Sequence, residues 1–148
     1  MFSELTNDIA TVEDRQELEL ATKEVIIHLG QPNADLHALV SRYLPVYFYR
    51  KLNMDLISQD PHTKLSKLLQ ELNQMEIAEV TIAIPATVDI VSLILNWLRR
   101  NIDKNIILSI KTDPLIGGGL MLTYKGKYVD LSLSQKIRTT ANNNEKFI

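Results

Sequence analysis

The sequence predicts an α+β fold in which a helical bundle precedes a small α/β domain, and three observations support this class. Apolar residues recur at helical spacing through the first half of the chain. From Ala78 the run AEVTIAIP alternates apolar and polar residues, as a half-buried strand does. Later, two short apolar runs flank Lys125-Gly126, a pair suited to a tight hairpin turn. We therefore predict two domains, 1–76 and 77–148.

The helical domain is predicted to contain three amphipathic helices. Thr11, with Asp14 three residues later, forms a capping box for the first helix. Asn33 is predicted to cap the second helix, which Pro45 should kink because proline lacks a backbone N–H donor. Asp60, followed by proline, is a typical start for the third helix. The predicted apolar faces are Leu18, Ala21, Thr22, Val25 and Leu29; Leu36, Leu39, Val40, Tyr43, Tyr47 and Met54; and Leu65, Leu68, Leu69 and Leu72.

The α/β domain is predicted to begin with a strand–helix–strand unit. The first strand stops at Pro85, Thr87 opens the helix, and IILSI at Ile106–Ile110 forms the second strand. This order implies a right-handed crossover between two parallel strands. The inner face of the helix is predicted to contain Val91, Ile94, Leu95, Leu98 and Ile102.

A β-hairpin and a final short helix complete the predicted domain. The hairpin strands are Leu120–Tyr124 and Lys127–Leu131, so a two-residue turn would place Leu122 opposite Val129 and Leu120 opposite Leu131. Ser132, with glutamine three residues later, forms a capping box for the last helix.

Composition and charge exclude several classes of protein. Hydrophobic residues make up 45% of the 148 and charged residues 23%, which is ordinary for a soluble globular protein. A net charge of −2 gives no bulk attraction for nucleic acid. The absence of cysteine excludes disulfides and thiolate metal sites. The longest apolar stretch, Val88–Leu98, is too short and too polar to span a bilayer, and the acidic N-terminus does not resemble a signal peptide. We therefore expect a soluble protein.

The glycine run in DPLIGGGLML is the strongest candidate for a nucleotide site. A phosphate-binding loop follows a strand and opens a helix, so that the helix amides face the anion. Here the glycines precede a strand, which argues against a small nucleotide-binding enzyme. The favoured interpretation is an Asp-Pro turn after which the glycines let the backbone bend into the strand.

No catalytic, cofactor-binding or metal-binding residues are predicted. The three histidines, His28, His37 and His62, form no close ligand pair, and the chain has no Gly-x-Ser-x-Gly elbow. The acidic run that includes Glu13 and Glu17 is interpreted as a solvated helix face, since nothing pairs these carboxylates for acid–base chemistry.

An aromatic cluster is the candidate partner surface of the helical domain. Tyr47, Phe48 and Tyr49 stand together in a chain with only 6% aromatic residues. Phe48 and Tyr49 lie off the predicted apolar face. Two interpretations stay open: a bundle core with a partly exposed edge, or a groove for a partner helix.

The second half of the chain resembles the C-terminal signature of the delta subunit of F-type ATP synthases, whose mitochondrial relative is the oligomycin sensitivity-conferring protein. The signature residues are Asp113, Pro114, Gly118, Gly119, Gly126, Asp130, Ser132, Lys136 and Ile137, and they fit the family spacing without a gap. The strand–helix–strand unit before them fits as well. Two features depart from the family: Gly117 replaces a usual aliphatic residue, and the helical half is shorter than the usual six-helix bundle.

The resemblance implies a non-catalytic stator subunit without a cofactor of its own. Such a subunit links the N-terminal helices of the alpha subunits on the catalytic head to the b-subunit stalk, which couples rotation to ATP synthesis. It implies a peripheral location on the cytoplasmic face of the inner (plasma) membrane, through the complex alone. The alternative is a soluble interaction module or regulator that uses the same small α/β domain.

Overall fold

The computed structural model describes residues 2–130, and it confirms the α+β class. Its contacts divide the chain into two units, the first ending at Met75 and the second beginning at Glu76. The division into domains 1–76 and 77–148 stays a prediction about independent folding.

The helices are α1 Ser3–Thr6, α2 Val12–Leu29, α3 Leu36–Tyr43, α4 Val46–Tyr49, α5 Met54–Ser58, α6 Pro61–Asn73 and α7 Val88–Asn101. The strands are β1 Glu76–Ile82, β2 Ile106–Thr112, β3 Leu120–Tyr124 and β4 Lys127–Asp130, with a 3-10 turn at Pro114–Ile116. Each helix in residues 2–130 is too short or too polar to cross a bilayer.

The predicted starts of the first and third helices are confirmed in the helical unit. At the start of α2, the Thr11 hydroxyl accepts a hydrogen bond from the Asp14 N–H at 3.2 Å. The Asp14 carboxylate accepts from the Thr11 N–H at 3.1 Å, which completes the capping box. At the start of α6, the Asp60 carboxylate accepts from the Thr63 N–H at 3.3 Å, and Pro61 occupies the first turn.

The prediction of one kinked second helix is wrong, because the chain forms α3, α4 and α5 there. The cap of α3 is Asp35, whereas Asn33 has a φ of 62° and lies before the helix. Leu44 ends α3 in an extended conformation, with ψ at 144°, since the residue before a proline avoids the helical region. Pro45 then caps α4, and Asn53 caps α5. Proline and a new cap therefore interrupt a spacing that by itself looked continuous.

The core of the helical unit consists of apolar residues from α2 to α6, together with Phe2 and Ile9 from outside the helices. The apolar residues of this unit that are at most 1% exposed are Phe2, Ile9, Leu18, Val25, Val40, Phe48, Ile57, Leu65, Leu68 and Leu72. Each such side chain contributes about 1.5–3 kcal/mol through burial alone. The longer helices α2, α3 and α6 supply most of them, so they form the frame on which the short helices pack.

The α/β unit contains a four-stranded sheet with the order β2-β1-β3-β4. β1 and β2 are parallel, as predicted, and β3 returns antiparallel to β1. The hairpin register is also confirmed, since Leu122 pairs with Val129. β1 begins two residues earlier than predicted and ends at Ile82. The predicted pairing with Leu131 and the final helix lie outside the described residues.

Helix α7 packs against β2, and near its end the Arg99 Nε–H donates to the Ile106 carbonyl at 3.0 Å. The Thr87 hydroxyl accepts from the Ile90 N–H at 3.3 Å, which confirms the predicted cap. Leu95 and Leu98 are buried, as predicted. Ile102, predicted on the same inner face, is 45% exposed because the helix has already ended at Asn101.

Candidate interaction surfaces

The Asp113-Pro114 turn connects β2 to the glycine run. The Asp113 carboxylate accepts a hydrogen bond from the Leu115 N–H at 3.0 Å, and Pro114 begins the 3-10 turn. The backbone N–H of Asp113 donates to the Ile82 carbonyl at 2.8 Å, which fixes the loop to the end of β1. The turn therefore places the glycines beside the carboxyl end of β1.

All three consecutive glycines have positive φ angles, at 74° for Gly117, 142° for Gly118 and 72° for Gly119. Gly117 is the left-handed cap of the 3-10 turn, and its N–H donates to the Pro114 carbonyl at 3.1 Å. A left-handed conformation costs a residue with a side chain about 1–2 kcal/mol. This conformation explains why glycine, and not an aliphatic residue, occupies position 117.

An apolar groove lies beside the glycines, with a volume of about 300 Å³. Three segments meet there: the chain after β1, one side of α7 and the glycine run. The lining residues are Ile82, Ala83, Ile84, Ile90, Leu93, Ile94, Gly118, Gly119 and Leu120. The sequence predicted a bend at the glycines, but it did not predict that they form a wall of a groove, because the other two walls come from distant segments.

The apolar surface of the groove continues along α7. Leu93, which lines the groove, is 71% exposed, and Trp97, one helical turn further on, is 54% exposed. Neither residue was predicted as functional, although both lie off the core-facing stripe of Leu95 and Leu98. Large apolar side chains that cluster in the open are typical of protein interaction sites.

The remaining signature residues lie in the hairpin turn, at the end of β4 or outside the described residues. Lys125 and Gly126 form the hairpin turn with φ angles of 47° and 75°, as a type I′ turn requires. Asp130 ends β4 and is partly buried. Ser132, Lys136 and Ile137 lie outside the described residues. Their assignment as structural signature residues stays a prediction.

In the helical unit, the predicted partner surface at Tyr47, Phe48 and Tyr49 needs a correction. Phe48 is only 1% exposed and belongs to the core, so its side chain cannot form part of a surface. The single turn of α4 directs Phe48 inward, whereas the predicted continuous helix would have left it off the apolar face. Tyr47 is 38% exposed and Tyr49 is partly buried, so these two stay candidates.

Tyr47 lies in an acidic environment. Partial burial raises the pKa of its hydroxyl to about 12, and the carboxylates of Asp14, Glu17 and Asp8 add to the shift because they disfavour a second negative charge. Tyr47 therefore keeps its proton over the whole physiological range. Its surroundings would favour a positively charged partner over a negative one.

Helix α2 exposes a second apolar stripe that sequence analysis missed. Leu20 is 65% exposed and Ile27 is 61% exposed, and their spacing of seven residues puts them on one side of the helix. The opposite side carries the buried residues Leu18 and Val25. The sequence could have indicated this stripe, because α2 has apolar residues on both of its sides. A helix that packs against a core on one side usually has polar residues on the other.

His28 connects α2 to α3. Its Nδ1 lies 2.8 Å from the Glu24 carbonyl, which only accepts, so Nδ1 carries a proton. Its Nε2 lies 3.3 Å from the Tyr43 hydroxyl, and the two rings are 5.1 Å apart. These contacts assign His28 a structural position. Within residues 2–130, no three His, Asp or Glu side chains are grouped so that they could hold a metal ion.

Comparison with known proteins gives one family match. The model of the family described as ATP synthase delta (OSCP) subunit matches residues 56–143, more than half of the chain. The matched region begins within α5 and includes the Asp113-Pro114 turn, the glycines and the hairpin. A search of curated proteins finds no match.

Proposed function

This chain belongs to the ATP synthase delta (OSCP) subunit family, and we propose that it links the catalytic head of an F-type ATP synthase to the b-subunit stalk. The family identification made from the signature is confirmed, and with it a general assignment to the peripheral stalk of ATP synthase. The match over residues 56–143 is the observation that carries the proposal.

The proposed mechanism is mechanical. If the head were free to turn with the rotor, the rotor would not move relative to the catalytic sites. Their conformations would then not change, and the ion gradient would drive no ATP synthesis. A stator subunit prevents this by holding the head against the stalk. That task needs extensive and durable interfaces and no active site, so we propose that this chain has no catalytic activity of its own.

Each unit has an exposed apolar surface suited to one of these interfaces. In the α/β unit, the groove with Leu93 and Trp97 would receive a helix of the b-subunit stalk, since an amphipathic helix places apolar residues in such grooves. In the helical unit, the stripe of Leu20 and Ile27 and the area around Tyr47 would contact the N-terminal helices of alpha subunits.

The proposed location follows from these partners. Association with the membrane would depend on the complex alone, at the cytoplasmic face of the inner (plasma) membrane. Washing membranes under conditions that detach the head and stalk should therefore release the chain with them.

Co-purification tests the proposed function. The tagged chain, extracted in mild detergent, should bring down alpha, beta and b subunits. A variant with Leu93→Glu and Trp97→Glu should lose b but keep alpha, whereas Lys104→Glu, at an exposed position beyond α7, should keep both. Recovery of none of the three subunits by the unmodified chain would contradict the stator function and favour the interaction module. Loss of alpha in place of b would contradict the assignment of the surfaces.

A further inference from the structure

We propose that the chain, when it is not in the complex, pairs with a second copy of itself through α7, with the two helices antiparallel. This inference goes beyond the stator function, and it concerns the state of the subunit before assembly. It rests on the pattern of charge and exposed apolar area along α7.

Four exposed residues form one stripe along α7. Asp89, Leu93, Trp97 and Arg100 are separated by four, four and three residues, which places them along the same side of the helix. The acidic residue lies in the first turn, the two large apolar residues lie in the middle and the basic residue lies in the last turn. Leu95 and Leu98, which face the core, lie on the other side.

This stripe is complementary to itself when two copies run antiparallel. If Leu93 contacts Trp97 of the second copy, the same register places Asp89 close to Arg100 of the second copy. Because the pairing has two-fold symmetry, each of these contacts occurs twice. A parallel arrangement in register would oppose Asp89 to Asp89 and Arg100 to Arg100, so the charges select the antiparallel one.

The groove supplies the shape complementarity that a stable pair needs. Leu93 lines the groove, so Trp97 of the second copy, packed on Leu93, lies at its apolar opening. A large aromatic side chain that enters an apolar pocket is the usual energetic centre of an interface. The pairing would also cover Leu93 and Trp97, which are otherwise 71% and 54% exposed.

The pairing has a consequence for assembly, and this consequence rests on the proposed function. If the stalk helix uses the same groove, self-pairing and stalk binding exclude one another. The paired chains would then have to separate before incorporation into the complex, and the apolar surface would be covered in both states.

Sedimentation velocity of the purified full chain over a range of concentrations tests the pairing. We expect a reversible monomer–dimer equilibrium. Asp89→Arg and Arg100→Asp should each weaken the dimer about tenfold, because two attractive contacts become repulsive. The double variant Asp89→Arg with Arg100→Asp should restore the dimer, since the opposed charges are again opposite. Each substitution also places an unfavourable charge at one end of the helix dipole. The double variant has both unfavourable charges, so recovery of its dimer would show that the loss in the single variants came from pairing and not from the dipole.

Two controls and two contrary outcomes complete the experiment. Lys104→Asp should leave the equilibrium unchanged, and thermal melting by circular dichroism should show that every variant is folded. A chain that is monomeric at all concentrations would overturn the proposal, and so would a double variant that remains as weak as the single ones. A chain that is monomeric but co-purifies with b would contradict the pairing and support the stator function. A chain that forms the dimer but recovers no ATP synthase subunit would support the pairing and contradict the stator function.

Discussion

The helical unit and the α/β unit differ in how far short stretches of sequence determine their structure. In the α/β unit, the turns at Asp113-Pro114 and Lys125-Gly126 lie where the sequence predicted them, and so do the strands beside them. In the helical unit, one continuous apolar spacing predicted a single helix. The chain forms three separate helices there, because Pro45 and the cap at Asn53 interrupt the helix. Residues with special backbone requirements therefore fix the path of the chain, whereas apolar spacing fixes only which sides are buried.

The two units also differ in where their exposed apolar side chains come from. In the α/β unit they line a groove that three segments form together. In the helical unit they lie mainly on the outer side of α2, while Phe48 of the predicted aromatic surface is buried. Aromatic residues that are close in sequence were thus a poor guide to exposure.

The largest expected effect tests whether the two units are energetically separate. Leu68→Ala in α6 and Leu108→Ala in β2 each remove a fully buried side chain, which should lower the free energy of unfolding by about 2–5 kcal/mol. If the domains 1–76 and 77–148 fold independently, each variant should lose amide protection only in its own unit. Hydrogen exchange resolved along the chain measures this. Equal loss of protection in both units after either substitution would show that they unfold together.

The glycine run should be far less tolerant than the glycine at the end of α2. Gly118→Val introduces a branched side chain at a φ of 142°, which should cost about 1–3 kcal/mol. Gly30→Ala is the matched control, since φ there is −73° and the added carbon would lie 3.5 Å from the Ile27 carbonyl oxygen, an ordinary contact. Urea denaturation compares the two. Equal stability of both variants would mean that the backbone at Gly118 is not constrained as described.

Helix caps allow a comparison of smaller effects. Thr11→Ala removes the hydroxyl that accepts from the Asp14 N–H at the start of α2, and Thr87→Ala removes the hydroxyl that accepts from the Ile90 N–H at the start of α7. We expect a loss of about 1 kcal/mol for Thr11→Ala and a smaller one for Thr87→Ala, since the lost bond is partly buried at Thr11 and exposed at Thr87. Thermal unfolding of both variants provides the measurement. A greater loss at Thr87 would contradict the order.

The smallest effect appears only at high pH. The folded state raises the pKa of Tyr47 from 10.0 to about 12, so the folded chain holds the phenolic proton more tightly than the unfolded chain does. The stability from this proton is fully present below pH 10 and is lost as the pH rises towards 12. Tyr47→Phe should flatten this decline. Denaturation of both proteins at several alkaline pH values would show it, and identical slopes would contradict the shift.

Much of the fold could be predicted, because caps and turns depend on residues close in sequence. The capping box of Thr11 and Asp14, the cap at Thr87 and the pairing of Leu122 with Val129 all follow from spacings of a few residues. The candidate surfaces were less predictable. Leu93 and Trp97 lie off the predicted inner face of α7, so helical spacing was consistent with their exposure. The groove beside Leu93 could not be predicted, because its other walls come from distant segments.

By itself, the sequence determined the fold class, the family signature and the need for a sharp bend at the glycines. These depend on backbone preferences and fixed spacings that act over a few residues. The tertiary structure alone decided that Gly117, Gly118 and Gly119 all adopt positive φ angles, that the last two line a groove, and that Phe48 turns inward. The groove and the burial of Phe48 depend on which distant segments pack against these residues, and a spacing of a few residues does not specify that packing.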